Sequence, residues 1–354
     1  MNKAGWAWGK TSSNTHGQYY LRSGQLGIVC MNQLLVFVCD GAPVRGEFVS
    51  LGSAWQNMIE RRNDPPIVQK VMGEFVAAAT LLTASIKLDG TLIIQAQSKG
   101  PIQLLVVECT SNLEIRASVT LNPDFSEIPD NATLAELLDA EGSGRLAITL
   151  DPVDRKPSQT PYQGIVSLKR PSATHPGLFE PIETVSDAIM QYMQSSEQVD
   201  TRIWLASSSE SLGGFLLQRL PDTGGATQYD PKMMAEGWER IQMLGNTITK
   251  EELLEVSPET LLRRLFLEES ERFGVRSFPI RLVRFACRCS RKRVADVIRM
   301  LGQEEVDSIL AELGAVETRC DFCGMQYRFD AVDCKQAFSS STLSDAVRPP
   351  SKGH

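Results

Sequence analysis

The feature that most constrains this chain is a set of four cysteines near its C-terminal end. Cys287 and Cys289 are separated by one residue, Cys320 and Cys323 by two, and helix-like sequence lies between the pairs. Two turns that each present two thiolates can build a tetrahedral sulfur site, the arrangement that Zn²⁺ prefers in closed structural sites. Each pair can also close into a disulfide, so the same residues could form a redox switch.

No other residue competes well as a metal ligand. The three histidines are all distant in sequence from the cysteine pairs: His16, His175 and His354. Cys334 lies closer, but the paired spacing of the other four cysteines favours its interpretation as a small apolar helix residue. We therefore expect one Zn²⁺ per chain in the reduced state. The predicted ligands are Cys287, Cys289, Cys320 and Cys323.

The predicted metal module, residues 281–338, is too small to build a large core. Domains of this size usually need a metal or disulfides for stability, and zinc held by thiolates contributes on the order of 10 kcal/mol of coupled folding free energy. The spacing alone predicts a metal site, and it leaves open whether that site is a purely structural zinc ribbon or a switch. Basic residues flank the pairs and would favour thiolates, although they could equally be a solvated helix face: Arg288, Arg291, Lys292, Arg293 and Arg319.

Composition narrows the functional class. The chain has 354 residues, 42% of them hydrophobic, and a net charge of -7, which indicates a globular protein of about two domains and argues against general nucleic-acid binding. Eight cysteines are too few for a disulfide scaffold, and their clustering fits a reducing compartment. No apolar run reaches the roughly 18 residues of a membrane span. We expect a cytoplasmic protein.

Residues 33–225 are predicted to form an α+β core domain with a mostly antiparallel sheet and packed helices. Asp64-Pro65-Pro66 should open a long helix, because Pro is tolerated in the first turn and Asp can cap free backbone N–H groups. Asp89-Gly90 predicts a hairpin turn between strands at 85–88 and 91–97. Later apolar runs continue the strand pattern as far as Leu220.

Residues 226–280 change to a charged helical pattern and are predicted to be a metastable linker. Thr249 begins a capping box, and Ser257 is an N-cap followed by Pro. Such charged, short helices should persist mainly by docking an apolar stripe on another surface. That stripe comprises Leu261, Leu262, Leu265 and Phe266. A leader at 1–32 and a tail at 339–354 are expected to be disordered.

The chain resembles the redox-regulated chaperone family called heat shock protein 33. The resemblance rests on the cysteine spacing with its thirty-residue gap, and it extends in family order from about 33 to 338. Cys334 and the leader fall outside it. The matching segments are Val44–Glu47, Leu81–Ala84, Tyr162–Val166, Ser196–Arg202, Glu251–Leu254, Leu261–Leu265, Glu304–Glu312 and Cys320–Gly324.

The resemblance implies a holdase chaperone that uses no ATP and is not an enzyme. In such proteins the reduced, zinc-bound form is inactive. Oxidation joins Cys287 to Cys289 and Cys320 to Cys323, the metal is lost, and the module and linker unfold. The exposed apolar surface then binds unfolding client proteins, typically as a homodimer. The absence of a GxxxxGK[ST] nucleotide loop from the sequence fits this implication.

Two other functions remain as alternatives. A thiol–disulfide oxidoreductase would need a Cys-x-x-Cys pair at a helix start in a βαβ setting, whereas Cys320 and Cys323 lie between strand-like segments. A zinc ribbon that binds nucleic acid could use the residues from Arg288 to Arg293 against phosphates. Salt-sensitive binding of the reduced protein to RNA or DNA would support that alternative.

Overall fold

A computed structural model gives the protein a mixed α+β fold, as predicted. It describes residues 32–125, 127–139, 142–154, 160–172, 174–175, 177–221 and 231–345. The predicted leader therefore lies almost wholly outside the described residues. The chain divides into two compact units between Ala286 and Cys287.

The first unit holds two large sheets, one small two-stranded sheet and eight α-helices among its described residues. In chain order its strands are β1 (Gln33–Cys39), β2 (Val44–Leu51), β3 (Gly90–Gln97), β4 (Ile102–Thr110), β5 (Glu114–Leu121), β6 (Arg145–Pro152), β7 (Tyr162–Ser167), β8 (Lys169–Pro171), β9 (Phe179–Pro181), β10 (Thr201–Ser207), β11 (Leu212–Arg219), β12 (Val275–Ser277), β13 (Arg281–Leu282) and β14 (Arg284–Phe285). Its helices are α1 (Ser53–Ile59), α2 (Pro66–Ser85), α3 (Leu134–Leu138), α4 (Val185–Tyr192), α5 (Pro231–Gly245), α6 (Lys250–Glu255), α7 (Pro258–Leu265) and α8 (Leu267–Arg272), with a π-helical turn at Met193–Glu197.

Both large sheets are antiparallel almost throughout. The first has the order β10-β11-β2-β1-β12, and β13 also pairs with β1. The second has the order β14-β5-β4-β3-β6-β7, in which only the pairing of β14 with β5 is parallel among the described strands. Strands β8 and β9 form a small separate hairpin. The mostly antiparallel fold class is therefore confirmed.

Helix α2 is the centre of the larger core. Sixteen of its twenty residues are buried, and its side chains pack with buried residues of both sheets. This helix is long and apolar enough to cross a membrane, but 83% of its most apolar window is buried inside the protein, as in the core helix of a globular protein.

Two local predictions around α2 were wrong. Pro65 occupies the N-cap without a side-chain hydrogen bond, because Asp64 pairs with Arg62 instead. The predicted strand at 85–88 is absent, since α2 continues through Ser85 and β3 pairs with β4 and β6. A helix that is apolar on all sides has no polar stripe to mark where it ends.

The segment predicted as a linker folds over the first sheet. Helices α5 to α7, together with Phe266 just before α8, pack on the face of that sheet opposite α2, in a second cluster with residues of β1, β2, β10 and β11. Both predicted caps are confirmed: Thr249 and Glu252 form a reciprocal capping box, and the Ser257 hydroxyl accepts from the Thr260 N–H. The boundary differs from the predicted residue 281, because β13 and β14 pair with β1 and β5 of the first unit.

The second unit is small. It comprises α9 (Arg291–Leu301), α10 (Gln303–Leu313), β15 (Val316–Arg319), β16 (Gln326–Phe329) and α11 (Ala331–Asp345). The cluster of buried residues at its centre has five members among the described residues, namely Ile298, Val306, Val316, Phe329 and Cys334. Helix α11 continues through 339–345, a part of the tail predicted to be disordered, and 346–354 lie outside the described residues.

Candidate metal centre

The four predicted ligands lie on two tight segments of the second unit. Cys287 and Cys289 directly precede α9, whose N-terminus is capped by the Ser290 hydroxyl. Cys320 and Cys323 occupy the turn between β15 and β16. Backbone hydrogen bonds close that turn, from the Cys320 N–H to the Met325 carbonyl and from the Gly324 N–H to the Cys320 carbonyl. Gly324 has φ of 67°, a conformation that favours glycine.

The four sulfur atoms converge. The Sγ atoms of Cys287 and Cys320 are 3.6 Å apart, those of Cys289 and Cys323 are 3.4 Å apart, and all four lie within 4.8 Å of one another. A disulfide would require about 2.05 Å. A tetrahedron of sulfurs at about 2.3 Å from Zn²⁺ has edges of about 3.8 Å. The spacing of these free thiols therefore fits a shared tetrahedral metal ion.

In the described parts of the chain, no other group of three or more His, Cys, Asp or Glu side chains brings its potential ligand atoms this close together. Cys334 is not part of the cluster. It lies on α11, is 2% exposed and packs in the small core of the second unit. Its predicted role as an apolar helix residue is confirmed.

Burial and hydrogen bonding make the four thiols unequal. Burial raises the pKa of Cys287 and, more modestly, of Cys323. At Cys289 burial also acts to raise the pKa, but hydrogen bonds from Tyr327 and the neighbouring thiols outweigh it and lower the pKa to about 7. The Tyr327 hydroxyl donates to the Cys289 sulfur over 3.1 Å. Tyr327 was not predicted as a site residue, because nothing local in the sequence marks a contact across 38 residues.

The basic residues beside the cysteines also hold the unit together. Arg319 donates through Nε to the Gly324 carbonyl at 3.2 Å, and Arg293 donates to the Arg288 carbonyl at 2.7 Å. Arg291 pairs with Asp333 on α11 and lies 4.3 Å from the centroid of the Phe329 ring. These contacts tie the first cysteine segment to α9, close the turn of the second segment, and join α9 to β16 and α11.

A buried aromatic layer lies beneath α5 to α8 in the first unit. Phe37, Phe48 and Phe215 stack across β1, β2 and β11, with ring centroids 4.2 Å apart for Phe48 and Phe215. Phe266 covers them from the predicted linker, 5.3 Å from Phe37. Gly46 is required in this layer, because a Cβ at that position would come within 2.2 Å of the Phe37 ring.

The predicted stripe of the linker docks on this surface. Leu261 and Phe266 are 3% and 1% exposed, and Leu262 and Leu265 are half-buried against the same cluster. Removing α5 to α8 would leave a layer of aromatic rings facing water. Hydrophobic patches of this kind mark sites where proteins bind other proteins.

Comparison with known proteins gives consistent matches over nearly all described residues. The family described as Hsp33 protein matches residues 32–330. The "33 kDa chaperonin" of Methylobacillus flagellatus is 40% identical over 308 residues, covering 87% of this chain and 94% of that protein. The protein of the same name from Chromobacterium violaceum is 40% identical over 315 residues, covering 89% of this chain and 96% of its own length.

A solved structure has a similar fold. The crystal structure of the 33 kDa chaperonin, a heat shock protein 33 homolog, from Thermotoga maritima aligns with a TM-score of 0.64 and covers 88% of this chain and 99% of its own. The two sequences are 20% identical, so this likeness supports the fold alone.

Proposed function

We propose that this chain, which belongs to the Hsp33 family of chaperones, is a redox-regulated holdase that binds unfolding proteins without ATP. The observation that carries the proposal is the convergence of four free thiols within 4.8 Å in a unit with a five-residue core. Such a unit depends on its ligand set for stability. Chemistry that removes the ligands therefore unfolds the unit.

In the reduced state the proposed ligands of one Zn²⁺ are Cys287, Cys289, Cys320 and Cys323. Bound Zn²⁺ would hold the two cysteine segments together and supply on the order of 10 kcal/mol of folding free energy. Tyr327 donates a hydrogen bond to the Cys289 sulfur, which stabilises its thiolate form. Arg319 and Arg293 position the two turns through backbone carbonyls.

Oxidation is the proposed trigger. In each step two thiolates lose two electrons and one S–S bond forms, while the O–O bond of hydrogen peroxide accepts those electrons, breaks and takes up two protons from solvent to give two waters. Following the family, we assign the bonds to Cys287–Cys289 and Cys320–Cys323. Each disulfide removes two thiolate ligands, so metal binding is lost after oxidation.

Release of the linker is the proposed output. The chain passes from β14 through Ala286 into Cys287, and we infer that unfolding of the second unit also loosens the short strands β12 to β14 that follow the linker. Helices α6 to α8 are short and held mainly by docking, and short helices alone are marginal in water. Their release uncovers the aromatic layer of Phe37, Phe48 and Phe215 for apolar segments of clients.

We further propose that the oxidised protein acts as a homodimer in the cytoplasm and that its partners are unfolded or partly unfolded proteins. The Hsp33 family consists of chaperones rather than enzymes, so catalytic turnover of a disulfide substrate is not expected. Turnover of such a substrate would instead favour the oxidoreductase alternative.

The deciding experiment measures zinc content and suppression of client aggregation before and after peroxide. Reduced protein should hold one zinc per chain and be inactive, and oxidised protein should lose zinc and suppress aggregation. Cys320→Ser should lose zinc and unfold the second unit while sparing the first. Cys334→Ser is the matched control, and equal loss of zinc in both variants would refute the ligand assignment.

The pairing of the cysteines needs a separate measurement. The shortest sulfur distances join Cys287 to Cys320 and Cys289 to Cys323, across the two segments. Pairing within each segment instead closes very short loops, which costs little chain entropy. Peptide mapping after peroxide should find 287–289 and 320–323, and predominant cross-links between the segments would contradict the proposed chemistry.

A further inference from the structure

One partly buried ion pair joins the two ends of the linker. Arg240 lies on α5 and Glu269 on α8, 29 residues later. The guanidinium donates through Nε to one carboxylate oxygen and through Nη2 to the other, the latter at 3.1 Å. The Glu269 side chain is 3% exposed and that of Arg240 is 34% exposed.

The side chains of Arg240 and Glu269 lie near the C-terminal end of β1. The Arg240 guanidinium lies 5.1 Å from the centroid of the Phe273 ring, and Phe273 occupies the space against Gly41. The Asp40 N–H donates to the Gly274 carbonyl at 3.0 Å. Cys39 is buried at the same place, and burial followed by the nearby Glu269 raises its pKa to about 12.

This geometry couples the first and last helices of the linker. If α5 leaves while α8 stays docked, the Glu269 carboxylate, which is 3% exposed in the closed protein, loses the guanidinium that neutralises it, which is unfavourable. If α8 leaves, Arg240 loses both of its charge-assisted hydrogen bonds. Partial opening at either end is therefore disfavoured, and the two ends should separate together.

We propose that the Arg240–Glu269 pair is a clasp that makes release of α5 to α8 a single step and sets how readily it occurs. The exposed pair Arg264–Glu252 in the same linker, with side chains 58% and 34% exposed, lacks this property because water solvates both charges. The clasp concerns regulation of the proposed function. The clasp proposal depends on the proposed holdase function only where it assigns chaperone activity to the protein with an open linker.

The test uses reduced, zinc-loaded, full-length protein without any client. Arg240→Met removes the cation but keeps an apolar side chain over Phe273. We expect hydrogen exchange in peptides from both α5 and α8 to rise together by on the order of a hundred-fold or more. Alkylation of Cys39, read by peptide mass spectrometry, should accelerate in parallel, with zinc content unchanged.

Two further variants keep the proposal falsifiable. The double variant Arg240→Met with Glu269→Leu removes both charges, so protection of α5 and α8 should return close to wild type. Arg264→Met, the matched control, should change exchange by less than about three-fold. The clasp is refuted if Arg240→Met leaves exchange unchanged, if only α5 opens, or if the double variant is as open as the single one.

These readouts separate the clasp from the proposed function. If Arg240→Met opens the linker but does not suppress client aggregation, the clasp stands and the chaperone role of the uncovered surface falls. If the linker stays closed while oxidised wild type suppresses aggregation, the clasp falls and the proposed function stands.

Discussion

The first sheet is covered by helices on both faces, but the two covers differ in continuity. One face is covered by α2, a single helix of twenty residues of which sixteen are buried. The other face is covered by four helices, and α6, α7 and α8 have only six to eight residues each. The buried side chains of α6 and α7 are few, namely Leu253, Pro258 and Leu261.

This difference indicates which cover can leave. Helix formation is cooperative, so α2 can be removed only by breaking one long element that is packed on both sheets. Each short helix on the opposite face is held by one or two buried side chains and stops at its own cap. Regions with few buried apolar contacts open at lower free energy than the core. We therefore expect the α2 face to be permanent and the linker face to be releasable.

The largest difference between the two faces is expected when one phenylalanine is removed from each cover. Phe75 on α2 is 0% exposed and Phe266 is 1% exposed, so both substitutions to alanine remove a buried ring. Each should cost about 3–5 kcal/mol of packing free energy. For Phe75→Ala that loss should fall on the whole first unit, measured as a lower urea midpoint. For Phe266→Ala the loss of packing free energy should mainly weaken the docking of the linker on the first sheet.

Peptide-resolved hydrogen exchange distinguishes the two outcomes. Phe266→Ala should raise exchange in α7 and leave β3 and β4 protected, whereas Phe75→Ala should raise exchange in both. Equal loss of protection in β3 and β4 for the two variants would show that the sheet and its linker cover unfold as one unit.

Charge placed on the docking stripe should release the linker without oxidant. In Leu262→Glu combined with Phe266→Glu, docking would bury two carboxylates among aromatic rings, which is strongly unfavourable. Reduced, zinc-loaded protein with both substitutions should suppress client aggregation to an extent close to that of oxidised wild type. Leu267→Glu is the control, because Leu267 is 53% exposed and should tolerate charge.

If the double variant stays inactive while its linker exchanges freely, linker release is not the switch. The client-binding surface would then lie outside the aromatic layer.

Much of this organisation could be predicted from short-range sequence signals. The two cysteine pairs, the start of α2 at Pro66 and the caps at Thr249 and Ser257 depend on residues within a few positions of one another. Contacts between distant segments could not be predicted in the same way. The N-terminus of α1 is capped by Asn32, whose side-chain oxygen accepts from the Ala54 N–H 22 residues away. The pairing of β13 and β14 with the first unit likewise depends on partners far along the chain.

Glu74 gives the stability of the first unit a pH dependence where α2 meets the linker. Glu74 lies on α2 and lines a cavity of about 430 Å³ together with Ile248 and Lys250 of the linker. Burial raises its pKa to about 6 from 4.5, although Lys70 and Lys250 act to lower it. The folded protein therefore binds this proton more tightly than the unfolded chain. Above about pH 6 the buried charge lowers the stability of the folded protein. This loss is recovered as the pH falls from about 6 to about 4.5.

Replacing this carboxylate by a neutral amide should remove that dependence. Glu74→Gln should be more stable than wild type by about 1–2 kcal/mol at pH 7.5, and the gain should vanish near pH 4.5. Urea unfolding of both proteins at the two pH values checks this, with the exposed Glu255→Gln as control. A gain that is the same at both pH values would show that Glu74 acts through packing rather than charge.

The smallest expected effect compares two identical caps in the two regions. Thr249 at α6 and Thr133 at α3 each form a reciprocal capping box, with Glu252 and Glu136 respectively. Substitution of either threonine by alanine should cost about 1 kcal/mol.

At Thr249 the lost stability belongs to a short docked helix, so hydrogen exchange in α6 should rise about five-fold and less peroxide should be needed for chaperone activity. At Thr133 the same loss should lower the urea midpoint of the first unit slightly and leave the peroxide requirement unchanged. If both variants shift the peroxide requirement equally, the linker cover has no separate stability, and the distinction between a permanent face and a releasable face fails.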